Sequence, residues 1–130
     1  MGKSVGDNVL DNGLSYVRWN ANRFCVCSAE PTTVAMAVST EMLAWYSCTS
    51  TDFSIANGSV SGRRIIMASA ISFAVSVTGS AQHVAVVGVV GAAPSLVSYL
   101  MLVTTCTNQT VTAGNTLTIP EWDYEIADPT

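Results

Sequence analysis

Charge is what this sequence has least of. From Ile65 to Pro120 there is no Asp, Glu, Lys or Arg. His83 is the one ionisable side chain there apart from Tyr99 and Cys106. A typical domain carries roughly a quarter charged residues, spread over every exposed face. Here the figure is 11%, and almost half of the chain has none. Such a stretch is buried in a membrane, in its own core, or against other chains. Basic residues are scarcest: five Lys and Arg in all. They cannot form the stripe that replaces phosphate counterions, which excludes direct nucleic-acid binding. Catalytic and cofactor motifs are missing as well. There is no G-x-S-x-G, no P-loop and no dinucleotide fingerprint. The four cysteines, Cys25, Cys27, Cys48 and Cys106, show neither a CxxC pair nor zinc spacing. No enzyme, cofactor or metal site is expected.

The membrane alternative fails on the sequence. Val84 to Val103 reaches the length of about 20 uncharged residues that a spanning helix needs. Gly88, Gly91 and Pro94 interrupt it, Gly91 to Ser95 reads as a turn, and no basic flank follows. The start of the chain lacks the long apolar run of a signal peptide. Production in a cytoplasm, or in a particle assembled there, is expected.

What is present reads as strands. Ile71, Phe73, Val75 and Val77 alternate with Ser72, Ala74, Ser76 and Thr78, which predicts a half-buried strand of eight residues. Thr78-Gly79-Ser80 predicts a turn. Ala81 to Val90 and Leu96 to Thr105 are apolar on both sides, which predicts two strands covered on both faces. Thr112 to Asn115 is a turn, and Leu117 and Ile119 alternate beyond it. In the last strand Trp122, Tyr124 and Ile126 oppose Asp123 and Glu125.

Earlier in the chain, Val9, Leu10, Leu14 and Val17 recur at helical spacing, with Asp7 as the expected cap. This segment, about 7–20, is a helix against a sheet or an arm to a neighbour. Arg23 to Ser28 reads as a strand, with Phe24 and Val26 opposite Cys25 and Cys27. The cysteines are expected as buried free thiols, one disulfide remaining open under oxidising conditions. Val34 to Ser47 mixes helix and strand formers, and is read as a loop followed by a strand from about Met42. Phe53 to Ala56 is a short strand, Asn57-Gly58 a hairpin-type turn, and Gly62 to Ala70 the next strand. With 130 residues this makes one domain. The class is mainly β, an antiparallel β-sandwich or small barrel with one short N-terminal helix.

Few residues invite a functional role. His83 has no acid near it in sequence and reads as a hydrogen-bonded strand histidine. Asp123, Glu125 and Asp128 read as a solvated acidic face or as a match for a basic partner. Arg63 and Arg64 pose the same question with opposite sign. Trp19, Trp45 and Trp122 suggest core or interface anchors, or a platform for cell-surface glycan on a fibre-tip or lectin-like module. The mean hydropathy of +0.40 points instead to surface hidden by neighbouring subunits. An isolated sheet blunts its edges with Lys or Pro, and Ile65 to Pro120 holds no Lys. A homo-oligomeric structural subunit follows.

Particular segments carry a resemblance. They are Asn8-Val9-Leu10-Asp11 with Leu14, Phe24-Cys25-Val26-Cys27-Ser28 leading to Pro31-Thr32-Thr33, and Ser61-Gly62-Arg63. Further on come Gly79 with His83-Val84-Ala85, Thr104-Thr105-Cys106, and Thr112-Ala113-Gly114-Asn115. Last are Ile119-Pro120, Trp122-Asp123, Glu125-Ile126 and Asp128-Pro129. In these the chain resembles the small head decoration, or capsid cement, proteins of tailed double-stranded DNA bacteriophages. The resemblance implies a β-rich knob, commonly trimeric, on the outer surface of the virion. Its partners would be the major capsid protein and its own copies. It brings no catalytic residues. On this reading the expected contact residues are Trp122, Asp123, Tyr124, Glu125 and Asp128, with Arg63 and Arg64.

Overall fold

Residues 5–67, 70–91, 94–119 and 122–128 are described by a computed structural model. The elements run α1 (Asp7–Asn20), β1 (Ala21–Cys27), β2 (Met42–Ser47), β3 (Phe53–Asn57), β4 (Arg63–Met67), β5 (Ile71–Ala74), β6 (Gly79–Val90), β7 (Val97–Val111), β8 (Thr116–Ile119) and β9 (Trp122–Ile126). One antiparallel sheet has the order β2-β1-β6-β7, a second β3-β4-β9, and a third pairs β5 with β8. The architecture is mainly β and sandwich-like, with one N-terminal helix and no closed barrel among the described residues.

The helix forms because Leu10, Leu14 and Val17 recur every three to four residues, and all three are buried. It lies against β3, β4 and β6. Asp7 is not its cap. Gly6 takes that place without a side-chain bond, and Asp7 sits in the first turn. There its carboxylate still meets the positive end of the helix dipole.

Period-two burial then sorts β1. Phe24 and Val26 enter the main core, while Cys25 and Cys27 enter a smaller one on the opposite face. The main core lies between the sheets. Phe24 is offset-stacked on Phe73 at 5.9 Å and meets Trp122 edge-on at 5.1 Å. Ile65, Met67, Val84, Val86 and Leu117 fill the rest.

Five further sequence expectations need correction. The loop before β2 is helical: Val34 and Ala35 lead into a π-helical turn, Met36–Thr40. The Thr33 hydroxyl accepts the Met36 N–H at 3.2 Å, and Ala37 is buried as a lid on Cys25 and Cys27. The strand expected over residues 71–78 ends its ladder at Ala74. Val75 then bridges to Ala44, and the Ser76 and Val77 N–H groups turn to the Leu43 carbonyl at 2.8 and 3.2 Å. The chain thus leaves β8 for the edge of β2, and Gly79 and Ser80 open β6 instead of forming a turn. At Asn57-Gly58 the hairpin is present, but its connection is longer than two residues. Asn57 pairs with Arg63, the Gly58 N–H bonds the Gly62 carbonyl at 3.0 Å, and Gly62 takes the positive φ of 70°. A Cβ there would lie 1.9 Å from the Ile126 carbonyl oxygen. Finally, β7 is not covered on both sides. It is an edge strand whose residues are exposed or half-buried apart from Val111.

Candidate assembly surface

The arginines are tied to their own chain. Arg63 on β4 pairs with Asp11 of α1 at 2.6 Å. Its neighbour Arg64 pairs across the ladder with Asp123 on β9 at 3.1 Å. Arg18 donates to the Ser50 carbonyl at 3.1 Å, and Arg23 stacks over the Trp45 ring at 4.3 Å. Glu125 is committed as well. It accepts the Ser59 N–H at 2.9 Å and the Ser59 hydroxyl at 2.7 Å. These bonds, and Arg64 nearby, hold its carboxyl below the usual range. The Asp128 N–H is bonded to the Ser61 hydroxyl at 3.2 Å.

The expected contact residues therefore divide. Trp122 and Tyr124 turn toward the main core, and the Trp122 indole N–H donates to Thr104 on β7 at 2.9 Å. Asp123, Glu125 and Asp128 hold β4 and the β3–β4 connection in place. Arg63 and Arg64 meet acids of the same chain. The structure gathers all seven on or beside the β4–β9 ladder.

His83 lies on the outer face of the first sheet, in register between Cys27 and Thr105. Its Nδ1 is buried without a hydrogen-bond partner. No acid bonds to it among the described residues, so it has no orienting carboxylate. No group of three or more potential metal ligands occurs among the described residues. No helix there is long and apolar enough to cross a membrane.

The four thiols are free. Burial pushes Cys25 up to about 11, against a lowering by Arg23. Burial pushes Cys27 and Cys48 up to about 12, with nearby acids adding to it. Burial also raises Cys106. At neutral pH all four keep their protons and are poor nucleophiles.

The uncovered apolar surface lies elsewhere, at the start of β7. Leu96 is 56% exposed, Val97 48% and Tyr99 47%. Leu100 and Val103 are half-buried and run into the small core of Cys25, Ala85 and Val87. Beside them a cavity of about 260 Å³ is lined by Arg23, Val34, Val38, Val87 and Ser98. No strand pairs with the outer edge of β7 among the described residues. The fifteen residues of β7 include no charged group. The sequence marked this stretch as charge-free. The continuous apolar run suggested full burial, because strand order is not readable from hydrophobicity alone. Two further exposed patches are Val9, Tyr16 and Trp19 on α1, and Val60 at the β3–β4 tip. The sequence singled out Trp19, but it grouped Val9 with the buried face of the helix, which only Leu10, Leu14 and Val17 form.

Comparison with family models, curated proteins and solved structures found no match to this chain.

Proposed function

We propose that the chain is a structural subunit of a phage particle, a head decoration protein that binds the outer surface of the shell. One observation supports this most: an uncharged, partly apolar β7 at an open sheet edge. A chain of this kind stabilises a shell by linkage, binding the assembled lattice better than free shell subunits. Repetition over the lattice multiplies weak contacts. The major capsid protein is the partner this reading requires, together with copies of the chain itself.

The glycan-binding alternative needs bare indole faces. Arg23 covers one face of Trp45 at 4.3 Å, which favours the subunit reading there, while Trp19 stays exposed beside Arg18. The test is co-sedimentation of purified protein with expanded, undecorated phage shells. Saturable binding and a raised shell melting temperature are expected. No binding, together with tryptophan fluorescence that responds to sugars, would overturn the proposal.

A further inference from the structure

We propose that the open edge of β7 pairs antiparallel with the same edge of a second copy, about a two-fold axis at Ser98. This goes beyond the subunit reading and is argued from the strand edge itself.

Three observations select a second copy as the occupant. The first is hydrogen bonding. An open edge presents a row of unpaired N–H and C=O groups, which another strand edge satisfies best. The second is charge. The molecule carries a net charge of −4, so copies repel unless they meet through neutral surface. β6 and β7 hold no Asp, Glu, Lys or Arg. A charged partner segment would leave its own charge unpaired against this surface, which is unfavourable. The same stretch on another copy brings none. At the β9 edge, by contrast, self-pairing would bring Asp123 and Glu125 of two copies together. The third is closure. The other edge of the first sheet is crossed at Leu43 and Ala44 by the segment after β5. Among the described residues β7 is thus the freer edge of the first sheet, and pairing it with itself about a two-fold axis gives a closed pair rather than a fibre.

The register follows from the strand itself. In the ladder with β6, Leu102 pairs with Val86 and Leu100 with Val87, so Met101 is an extra residue. Such a bulge ends regular pairing. Its side chain turns onto Gly88, where an added Cβ would lie 2.3 Å from the Met101 methyl. The bulge divides β7, and the stretch before it, residues 97–100 with Leu96 just ahead, is the one whose apolar side chains are exposed. An axis at Ser98 sets Val97 opposite Tyr99 of the other copy, and Leu96 opposite its Leu100. These are the aromatic–β-branched and apolar pairs that favour antiparallel pairing. Two serines meet at the axis.

The experiment is size exclusion with light scattering on the full chain over a concentration series, with Ser98→Lys and Ser98→Cys beside it. Wild type is expected to reach twice the chain mass. Ser98→Lys sets two ammonium groups opposite each other and is expected to stay monomeric and folded, with the melting temperature of dilute wild type, since Ser98 is exposed. Ser98→Cys is expected to form a covalent dimer under mild oxidation, and Thr107→Cys is not. A trimer, a wild-type monomer at all concentrations, or a Ser98→Lys dimer would overturn the pairing. Shell co-sedimentation on the same samples separates the two readings. Pairing that fails while shells still bind leaves the subunit reading standing, and loss of shell binding by a paired wild type removes that reading alone.

Discussion

Cys25, Cys27 and Cys48 have no water around them to stabilise a thiolate, and their protons are held accordingly. Their ordinary value is 9.0. A raised value in the fold gives stability that is fully present below pH 9.0 and lost as pH rises toward about 12. An aromatic disulfide reagent at pH 8 is expected to label at most Cys106 quickly in native protein, and all four thiols after unfolding in guanidinium. Rapid labelling of all four in the native state would contradict the burial. Glu125 has the opposite sign. Its lowered value gives stability that is present above its ordinary 4.5 and lost as pH falls through the lowered one. Glu125→Gln removes that titration, so the acid side of a melting-temperature profile is expected to flatten relative to wild type.

Among the elements, α1 offers the cleanest test. Gly13 lies mid-helix with nothing within 4 Å of an added Cβ. Gly13→Ala is expected to stabilise the fold by about 0.5–1 kcal/mol, by restricting the unfolded chain and raising helix propensity. Chemical denaturation reads this directly. On β9, Trp122 meets Phe24 edge-on and bonds Thr104. Trp122→Ala is expected to lose roughly 3 kcal/mol of stability, and Trp122→Phe clearly less. A loss of shell binding by the Ala variant therefore counts only if the Phe variant, which folds, shows it too. The same residues explain what the sequence made legible. Helical spacing of Leu10, Leu14 and Val17 marked α1, and alternation marked β8 and β9, because each has one face turned to the core, whereas β1, buried on both faces, showed only as an apolar run of strand formers. The π-helical turn over Met36–Thr40 left no such trace. It depends on Ala37 finding Cys25 and Cys27, a contact made only after β1 is in place. The end of the β5 ladder at Ala74 was equally hidden, since Val75 is buried whether it pairs with β8 or bridges to Ala44. For the candidate surface, residue types pointed to β9 and to Arg63 and Arg64. Tertiary pairing gave those charges partners within the chain and left β7 uncovered.

At the scale of the whole molecule, an interface without charge has a salt signature. Screening weakens contacts between exposed charges beyond a Debye length of about 10 Å at 0.1 M, and none lie in β6 or β7. Self-association is expected to hold or strengthen from 50 mM to 1 M salt, as measured by sedimentation equilibrium. An affinity that falls with salt would place the contact on the charged β4–β9 side instead.

The strand order of the first sheet also sets when this molecule can exist at all. β1 lies between β2 and β6, with Cys27 facing His83 and Ala21 facing Gly88. Closing that ladder joins chain positions more than fifty residues apart, the kind of non-local pairing that folds in milliseconds to seconds rather than microseconds. On a ribosome the central pairing has to wait until β6 has emerged. Until then β1 has only β2 beside it and α1 only β3 and β4 to lie against, and a chain stopped before β6 leaves the other edge of β1 open.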